Sequence, residues 1–216
     1  MRKHKLWFSL IVSVLWAFFA LVLLMLYNQS LMRTLPLGLR MVVNLVVRWS
    51  LAAVPLVFSI RERYRPFQKE KLGLQLLWGL GIGVGMSMIC TLIPHLLGLG
   101  DYVGGHYGYT KLWQFAYELV YLVAGVALVE EFLFRGYFYH RLRLLFRSEW
   151  AAIWISSGLF GLFHWSGGIL QVLVTGLLGL FWCLCRKKLR HCTLLSLILA
   201  HGLYDWLIVF WAHIFQ

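Results

Sequence analysis

The stretch LWFSLIVSVLWAFFALVLLMLY, residues 6–27, indicates the fold class, because it runs for 22 residues without a charged side chain. A helix needs about 20 apolar residues to cross the hydrocarbon core of a bilayer. The basic residues MRKHK precede the stretch, and no small-residue cleavage site follows it. We therefore interpret it as a membrane anchor and not as a signal peptide that is removed.

Six further apolar runs follow, so the composition of the whole chain is typical of a membrane protein. Of its 216 residues, 61% are hydrophobic and only 13% are charged, whereas about a quarter of the residues in a soluble domain are charged. A spanning segment must satisfy its own backbone hydrogen bonds, which favours helices for runs this long. The sequence predicts an all-α, polytopic membrane protein with about seven transmembrane helices in a single membrane domain, residues 1–216. The six runs lie at about 41–60, 72–99, 113–140, 151–166, 169–185 and 192–214.

The basic residues predict which side of the membrane each loop occupies. With the N-terminus in the cytoplasm, sixteen Lys and Arg residues fall in cytoplasmic segments and three, Arg33, Arg40 and Lys111, on the other side. This positive-inside bias predicts a multi-pass protein of the cell membrane (plasma or inner membrane) with a cytoplasmic N-terminus. It also accounts for the net charge of +12, so no nucleic-acid partner is expected. Arg48 lies inside the second run and fits neither set, and we expect it to snorkel or to pair.

The third run contains two glycine pairs with helical spacing. In WGLGIGVGMS, residues 78–87, Gly79 and Gly83 are four positions apart, and so are Gly81 and Gly85. Glycines at this spacing share one side of a helix and let a neighbouring helix approach closely. Since no strand precedes them, close helix packing is favoured over a nucleotide-binding loop.

The run at 113–140 contains most of LVEEFLFRGYFYHRL, residues 128–142, which places two acids in hydrophobic surroundings. An ionisable group near the bilayer centre costs about 2.5–3.5 kcal/mol, so such residues are functional candidates. Counted at about 1.5 Å per residue from the nearest cytoplasmic boundary, Glu130 lies roughly 17 Å deep, His164 roughly 21 Å and His201 roughly 15 Å. Three predicted helices therefore bring polar groups to similar depths, which predicts a polar site near the bilayer midplane.

Helical spacing separates the roles of the two acids. Glu131 and Arg135 are four positions apart, so they share a helix face and are expected to pair. Glu130 points about 100° away from Glu131. Its partners must therefore come from other helices, and the two intramembrane histidines are the obvious ones. His201 and Asp205 are also four positions apart, which places both on one face of the last predicted helix.

Three motifs follow one another along the second half of the chain. They are Glu130-Glu131-x-x-x-Arg135, Phe160-x-x-x-His164 and His201-x-x-x-Asp205. In this order, each on a predicted helix, they resemble the motifs of the CAAX protease and bacteriocin-processing (CPBP/Abi) family of glutamic-type intramembrane endopeptidases. The resemblance covers about residues 110–216, the expected catalytic core, and implies a peptidase that uses neither a cofactor nor a metal.

The resemblance also implies roles for the motif residues. The implied catalytic residues are Glu130, His164, His201 and Asp205. The first two activate a water, and the last two stabilise the oxyanion. A supporting structural role is implied for Glu131, Arg135 and Phe160. Family members that process eukaryotic CAAX proteins carry Asn where this chain has Asp205. We therefore expect the substrate to be a membrane-associated protein or peptide, without assuming that it is a prenylated CAAX peptide.

The residues by themselves leave four other interpretations open. Glu130, His164 and His201 form a ligand set suited to catalytic zinc, and a metalloprotease would be sensitive to chelators. A proton-coupled transporter also uses buried acids and histidines, although the chain shows no repeated halves. A non-catalytic immunity or scaffold protein would tolerate the loss of Glu130. A buried polar network that sets the helix register is the fourth interpretation.

Overall fold

The regular secondary structure of the described residues is helical, which confirms the all-α prediction. The computed structural model of the chain describes residues 3–30, 34–100, 103 and 111–215, and no strand occurs among them. The helices, numbered along the chain, are α1 (Lys3–Ser30), α2 (Leu37–Ser50), α3 (Ala53–Arg61), α4 (Leu72–Leu96), α5 (Leu112–Phe146), α6 (Glu149–Phe163), α7 (Gly168–Lys188) and α8 (Leu194–Ile214).

The apolar helices are those of a multi-pass membrane protein. Within the described residues, five helices are long and apolar enough to cross a membrane: α1, α4, α5, α7 with the turn before it, and α8. The pair α2 and α3, bent by 54°, makes a sixth span if the two helices are counted together. The helix α6 is apolar but has only 15 residues. Each of the seven predicted runs therefore has a helical counterpart, and the second and fifth differ from a plain span.

Three aspects of the membrane prediction remain predictions: the orientation, the depth of the polar residues and the organisation as one membrane domain with a catalytic core at 110–216. Two of the arginines used to predict the orientation, Arg2 and Arg33, lie outside the described residues. The segment at 98–111, which contains Lys111 and which this orientation places on the outer side of the membrane, also lies largely outside them.

A proline explains why the second run is not one straight helix. Proline has no backbone N–H, and its ring collides with the carbonyl of the residue four positions earlier. For Pro55 this residue is Leu51, and α2 ends one residue before it, at Ser50. The indole Nε1 of Trp16 in α1 donates to the carbonyl oxygen of Ser50 at 2.8 Å. Because the last carbonyls of a helix lack partners within it, this bond stabilises the broken end of α2.

The chain divides into two compact units, and the first contains both acids. Unit 1 comprises Met1–Pro66 and Val129–Arg190. Its core lies around the second half of α5, whose most deeply buried side chains pack in one apolar cluster with residues of α1 and α6. These α5 residues are Leu133, Phe134, Tyr137 and Phe138. The hydroxyl of Ser156 in α6 donates to the carbonyl oxygen of Phe134 at 2.6 Å, which ties α6 to the segment that follows the acids.

The second unit contains α4, α8 and the first part of α5. It comprises Phe67–Leu128 and His191–Gln216. A Cβ atom added at Gly83 would lie 2.8 Å from the carbonyl oxygen of Ala200, and one added at Gly79 would also collide with α8. The close packing predicted for this glycine pair is therefore confirmed. A Cβ at Gly81 or Gly85 would meet nothing within 4 Å, so the prediction was wrong for the second pair, which lies on another side of α4.

Candidate active site

The two acids lie in a short α-helical segment of α5 between two π-helical segments. The α-helical residues are Leu128–Glu131. The π-helical segments are Tyr121–Ala127 before them and Phe132–Phe138 after them. π-helical turns are rare and occur frequently at functional sites. This backbone geometry makes the segment a candidate functional site.

Glu130 is buried and lies between two groups from other helices of unit 1. Its residue exposure is 2%. The Oε1 atom lies 3.8 Å from Nη2 of Arg48, and the Oε2 atom lies 3.9 Å from Nε2 of His164. Both distances exceed a direct hydrogen bond but suit an electrostatic contact or a bridging water. The carboxylate thus presents one oxygen to a cation and the other to a histidine.

Arg48 is the member of this group that the sequence did not assign to a site. It lies in the last turn of α2, and its side chain is 20% exposed. The available signal was its position inside an apolar run, where an arginine is costly and usually functional. The sequence did not identify its partner, because Glu130 lies on α5 and the contact depends on how the helices of unit 1 pack.

His164 ends α6, and a backbone contact orients its ring. Its Nδ1 atom lies 2.9 Å from the carbonyl oxygen of Phe160. A carbonyl oxygen only accepts hydrogen bonds, so Nδ1 carries the proton and donates. In the neutral ring, Nε2 then has a free lone pair, and this is the atom that faces Glu130. The site therefore combines a carboxylate oxygen and an imidazole nitrogen that can both accept from one water.

Glu131 turns to the other side of α5 and pairs within its own helix, as its spacing predicts. Its Oε1 atom accepts from Nη1 of Arg135 at 2.9 Å, and the two side chains are 0% and 1% exposed. The Arg135 guanidinium also lies 4.0 Å from the ring centroid of Phe160. The same ring forms a T-shaped contact with the His164 ring, with centroids 4.8 Å apart. Phe160 therefore connects the buried ion pair with the histidine that faces Glu130.

The third motif lies in unit 2, on α8. Nε2 of His201 lies 3.3 Å from Oδ2 of Asp205, on the shared helix face that their i,i+4 spacing predicts. The side chain of His201 is 8% exposed and that of Asp205 is 26% exposed. The structure thus brings Glu130 and His164 together in unit 1, and His201 and Asp205 together in unit 2. The chemical roles of all four remain predictions.

The structure also bears on the metalloprotease alternative. Among the described residues, no three His, Cys, Asp or Glu side chains are grouped so that they could hold a metal ion. Whether the activity depends on a metal remains a prediction for chelation experiments.

Comparison with known families identifies the segment that carries the motifs. Residues 112–207 match the family model described as type II CAAX prenyl endopeptidase Rce1-like. The match confirms the resemblance to the CPBP family, and the matched residues include all three motifs. A comparison with curated proteins found no match, and a comparison with solved structures also found none.

The Rce1-like match, together with the apolar helices, supports a coarse functional description. The matched family is described as an endopeptidase family, and endopeptidases are hydrolases. The apolar helices indicate a multi-pass membrane protein. Such a protease acts on membrane-associated substrates within a lipid bilayer. The mechanism, the catalytic residues and the substrate go beyond this description.

Proposed function

We propose that the chain is a glutamic-type intramembrane endopeptidase in which Glu130 and His164 activate the attacking water. The observation that carries the proposal is the 3.9 Å separation between Oε2 of Glu130 and Nε2 of His164. Both atoms are acceptors when the ring is neutral, because Nδ1 of His164 donates to the carbonyl oxygen of Phe160. A water about 2.8 Å from each atom fits this separation.

The proposed reaction follows from that arrangement. The water donates its two hydrogens to Glu130 and His164, which leaves an oxygen lone pair for the carbonyl carbon of the substrate. As the new C–O bond forms, Glu130 accepts a proton, and the carbonyl oxygen becomes an oxyanion. When the C–N bond breaks, the proton passes to the leaving amine nitrogen. General-base assistance of this kind contributes typically about 10²–10⁴-fold to a rate.

For His201 and Asp205 we propose the role of oxyanion donors, which the family resemblance implies. An ionised carboxylate offers only acceptors, so Asp205 serves the oxyanion directly only as a neutral acid. In the alternative arrangement it stays ionised and holds a protonated His201, which donates alone. We favour the neutral donor, because relatives carry Asn at this position of the motif. Discrete oxyanion donors are each worth about 10²–10³-fold in a rate.

The substrate that we propose is a membrane-associated protein or peptide cleaved within the cell membrane (plasma or inner membrane), with no nucleic-acid partner. The matched family is named for prenylated CAAX substrates. Asp205, which stands where CAAX-processing relatives have Asn, argues against transferring that substrate to this chain directly. Candidates of the same chemical class are leader peptides and the C-terminal anchor segments of exported proteins.

The experiment that tests this proposal replaces Glu130 by Gln. A host that carries Glu130→Gln should accumulate uncleaved precursors relative to the wild type, as measured by quantitative proteomics of its membranes. The purified variant should cleave peptides about 10²–10⁴-fold more slowly, on a panel of membrane-tethered quenched peptides with and without a prenyl chain. The matched control is Glu118→Gln, which makes the same change elsewhere on α5. Full activity of folded Glu130→Gln would refute the assignment.

A further inference from the structure

Arg48 is a charged residue of unit 1 that lies within an apolar stretch of the chain. It lies outside the matched residues 112–207 and inside a span formed by the bent pair α2 and α3. An arginine at the centre of a membrane helix costs about 2.5–3.5 kcal/mol on insertion scales. Such a cost calls for a compensating partner, and the structure offers a carboxylate.

Each of the two acids contacts a different arginine. Glu131 has Arg135 at 2.9 Å on its own helix. Glu130 has Arg48 at 3.8 Å, and this contact uses the Oε1 atom. The other oxygen, Oε2, is the one that faces His164. Arg48 therefore approaches the carboxylate on the side away from the atom assigned to the water.

The position of Arg48 is itself determined by neighbouring contacts in unit 1. It lies two residues before Ser50, the end of α2. The carbonyl oxygen of Ser50 accepts from the indole of Trp16 at 2.8 Å, and the Ser50 hydroxyl donates to the carbonyl oxygen of Val47 at 2.6 Å. The next residue, Leu51, is fully buried. The end of α2 is thus held against α1, and the Arg48 backbone is held with it.

We propose that Arg48 is a positioning residue for Glu130. Its guanidinium anchors Oε1 and supplies the compensating charge, so that Oε2 stays directed at His164 and the water between them. This inference rests on the proposed function, since it assigns Arg48 a purpose only if Glu130 is the base. Arg48 acts through Glu130 and does not touch the substrate.

The test compares Arg48→Gln, Arg48→Lys and Arg40→Gln with the wild type in the same peptide panel. Misplacing a catalytic group by about 1 Å can cost on the order of 100-fold, so we expect Arg48→Gln to lower kcat by about that factor with little change in KM. Arg48→Lys keeps a charge but not the planar fork and should recover part of kcat. Arg40 lies two turns earlier on α2 and donates to the carbonyl oxygen of Leu35 at 3.0 Å. Its replacement removes an arginine from the same helix, and it should leave kcat unchanged.

A chemical rescue separates positioning from a general structural role. Adding guanidinium ion at millimolar concentration should restore part of kcat to Arg48→Ala, and should restore nothing to Glu130→Gln. If Arg48→Gln does not fold, Trp16→Phe decides, because it removes the bond to Ser50 and keeps every charge. Trp16→Phe should lower kcat in the same direction, with KM unchanged.

The outcomes distinguish this inference from the proposed function. The role of Arg48 is overturned, and the proposed function is kept, if Glu130→Gln is inactive while folded Arg48→Gln has the wild-type kcat. If Arg48→Gln does not fold, a wild-type kcat in Trp16→Phe has the same meaning. A higher KM at unchanged kcat also overturns that role, since Arg48 would then contact the substrate. Full activity in Glu130→Gln overturns both proposals together.

Discussion

Glu130 and Glu131 are neighbours in the chain, and yet they find their partners in different ways. Glu131 pairs with Arg135, four residues along the same helix. Glu130 contacts Arg48 of α2 and His164 at the end of α6. The comparison shows that a helix assigns a local partner by its own geometry, whereas a residue on another face depends on which helices pack against it.

The pair on α8 repeats the local case with a different exposure. His201 and Asp205 are four residues apart, and Nε2 of the histidine lies 3.3 Å from Oδ2 of the aspartate. Glu131 and Arg135 have the same spacing and a shorter contact of 2.9 Å. The local pair on α5 is nearly inaccessible, whereas the Asp205 side chain is 26% exposed. A fully buried pair suits a supporting role, and a partly exposed pair suits contact with a substrate.

The largest expected difference lies between Glu131→Gln and Glu130→Gln. Removing Glu131 leaves Arg135 buried without its counter-ion, and breaking a buried pair costs about 3–5 kcal/mol. Glu130→Gln should instead lose cleavage while keeping its fold, because its contacts are longer and Arg48 is partly exposed. Thermal melting in detergent, measured beside peptide cleavage, checks both. Equal destabilisation of the two variants would mean that the acids do not have separate roles.

A smaller effect is expected from crowding the buried pair. A Cβ atom at Gly179 of α7 would lie 3.1 Å from Nη2 of Arg135 and 3.1 Å from Cδ1 of Phe160. Overpacking of this kind costs about 1–3 kcal/mol, so Gly179→Ala should melt at a lower temperature than a glycine replacement on the same helix without such contacts. The matched control is Gly176→Ala, one turn earlier, where the nearest atom, the carbonyl oxygen of Ser157, is 3.7 Å away.

Both replacements gain the same helix propensity, about 1 kcal/mol for Gly to Ala, so the difference between them reports the crowding. Identical melting of the two variants would show that the neighbours of Gly179 relax without cost. The Arg135–Phe160 contact would then be less constrained than the Glu131–Arg135 pair.

The smallest effect is expected from Asp205→Asn, which tests the local pair on α8. If Asp205 is a neutral donor, Asn keeps a hydrogen-bond donor in place, and the cleavage rate should stay within about tenfold of the wild type. A tenfold change in rate corresponds to about 1.4 kcal/mol of activation free energy. The matched variant Asp205→Ala removes the donor and should lose about 10²–10³-fold. Purified proteins and the same peptide panel provide the measurement. Equal, large losses in both variants would indicate that Asp205 is the counter-ion of His201.

Much of the fold followed from local sequence properties, and the exceptions have physical reasons. Apolar length predicted helical counterparts for all seven runs. It did not predict the bend between α2 and α3, which depends on Pro55 and on a contact from Trp16. Glycine spacing predicted packing on two sides of α4. Only one of those sides faces α8, because spacing defines a face and not the neighbour that covers it.

The candidate site shows the same division. The spacing of the motifs predicted that Glu131 pairs with Arg135 and that His201 and Asp205 share a helix face, and the structure confirms both. Arg48 lies inside an apolar run of the sequence and belongs to no motif, and its contact with Glu130 was not predicted. The orientation of the His164 ring was also beyond the sequence, because it depends on a bond to the carbonyl oxygen of Phe160 at the end of α6.

The sequence by itself determined that this chain is a multi-pass helical membrane protein with three ordered motifs, and that two sets of motif residues each share a helix face. Apolar length and i,i+4 spacing are properties of single segments, so they can be read without knowing any neighbour. Only the tertiary structure decided that Arg48 and His164 approach opposite oxygens of Glu130. These contacts join helices far apart in the chain, and they depend on where α2 breaks, where α6 ends and how both pack against α5.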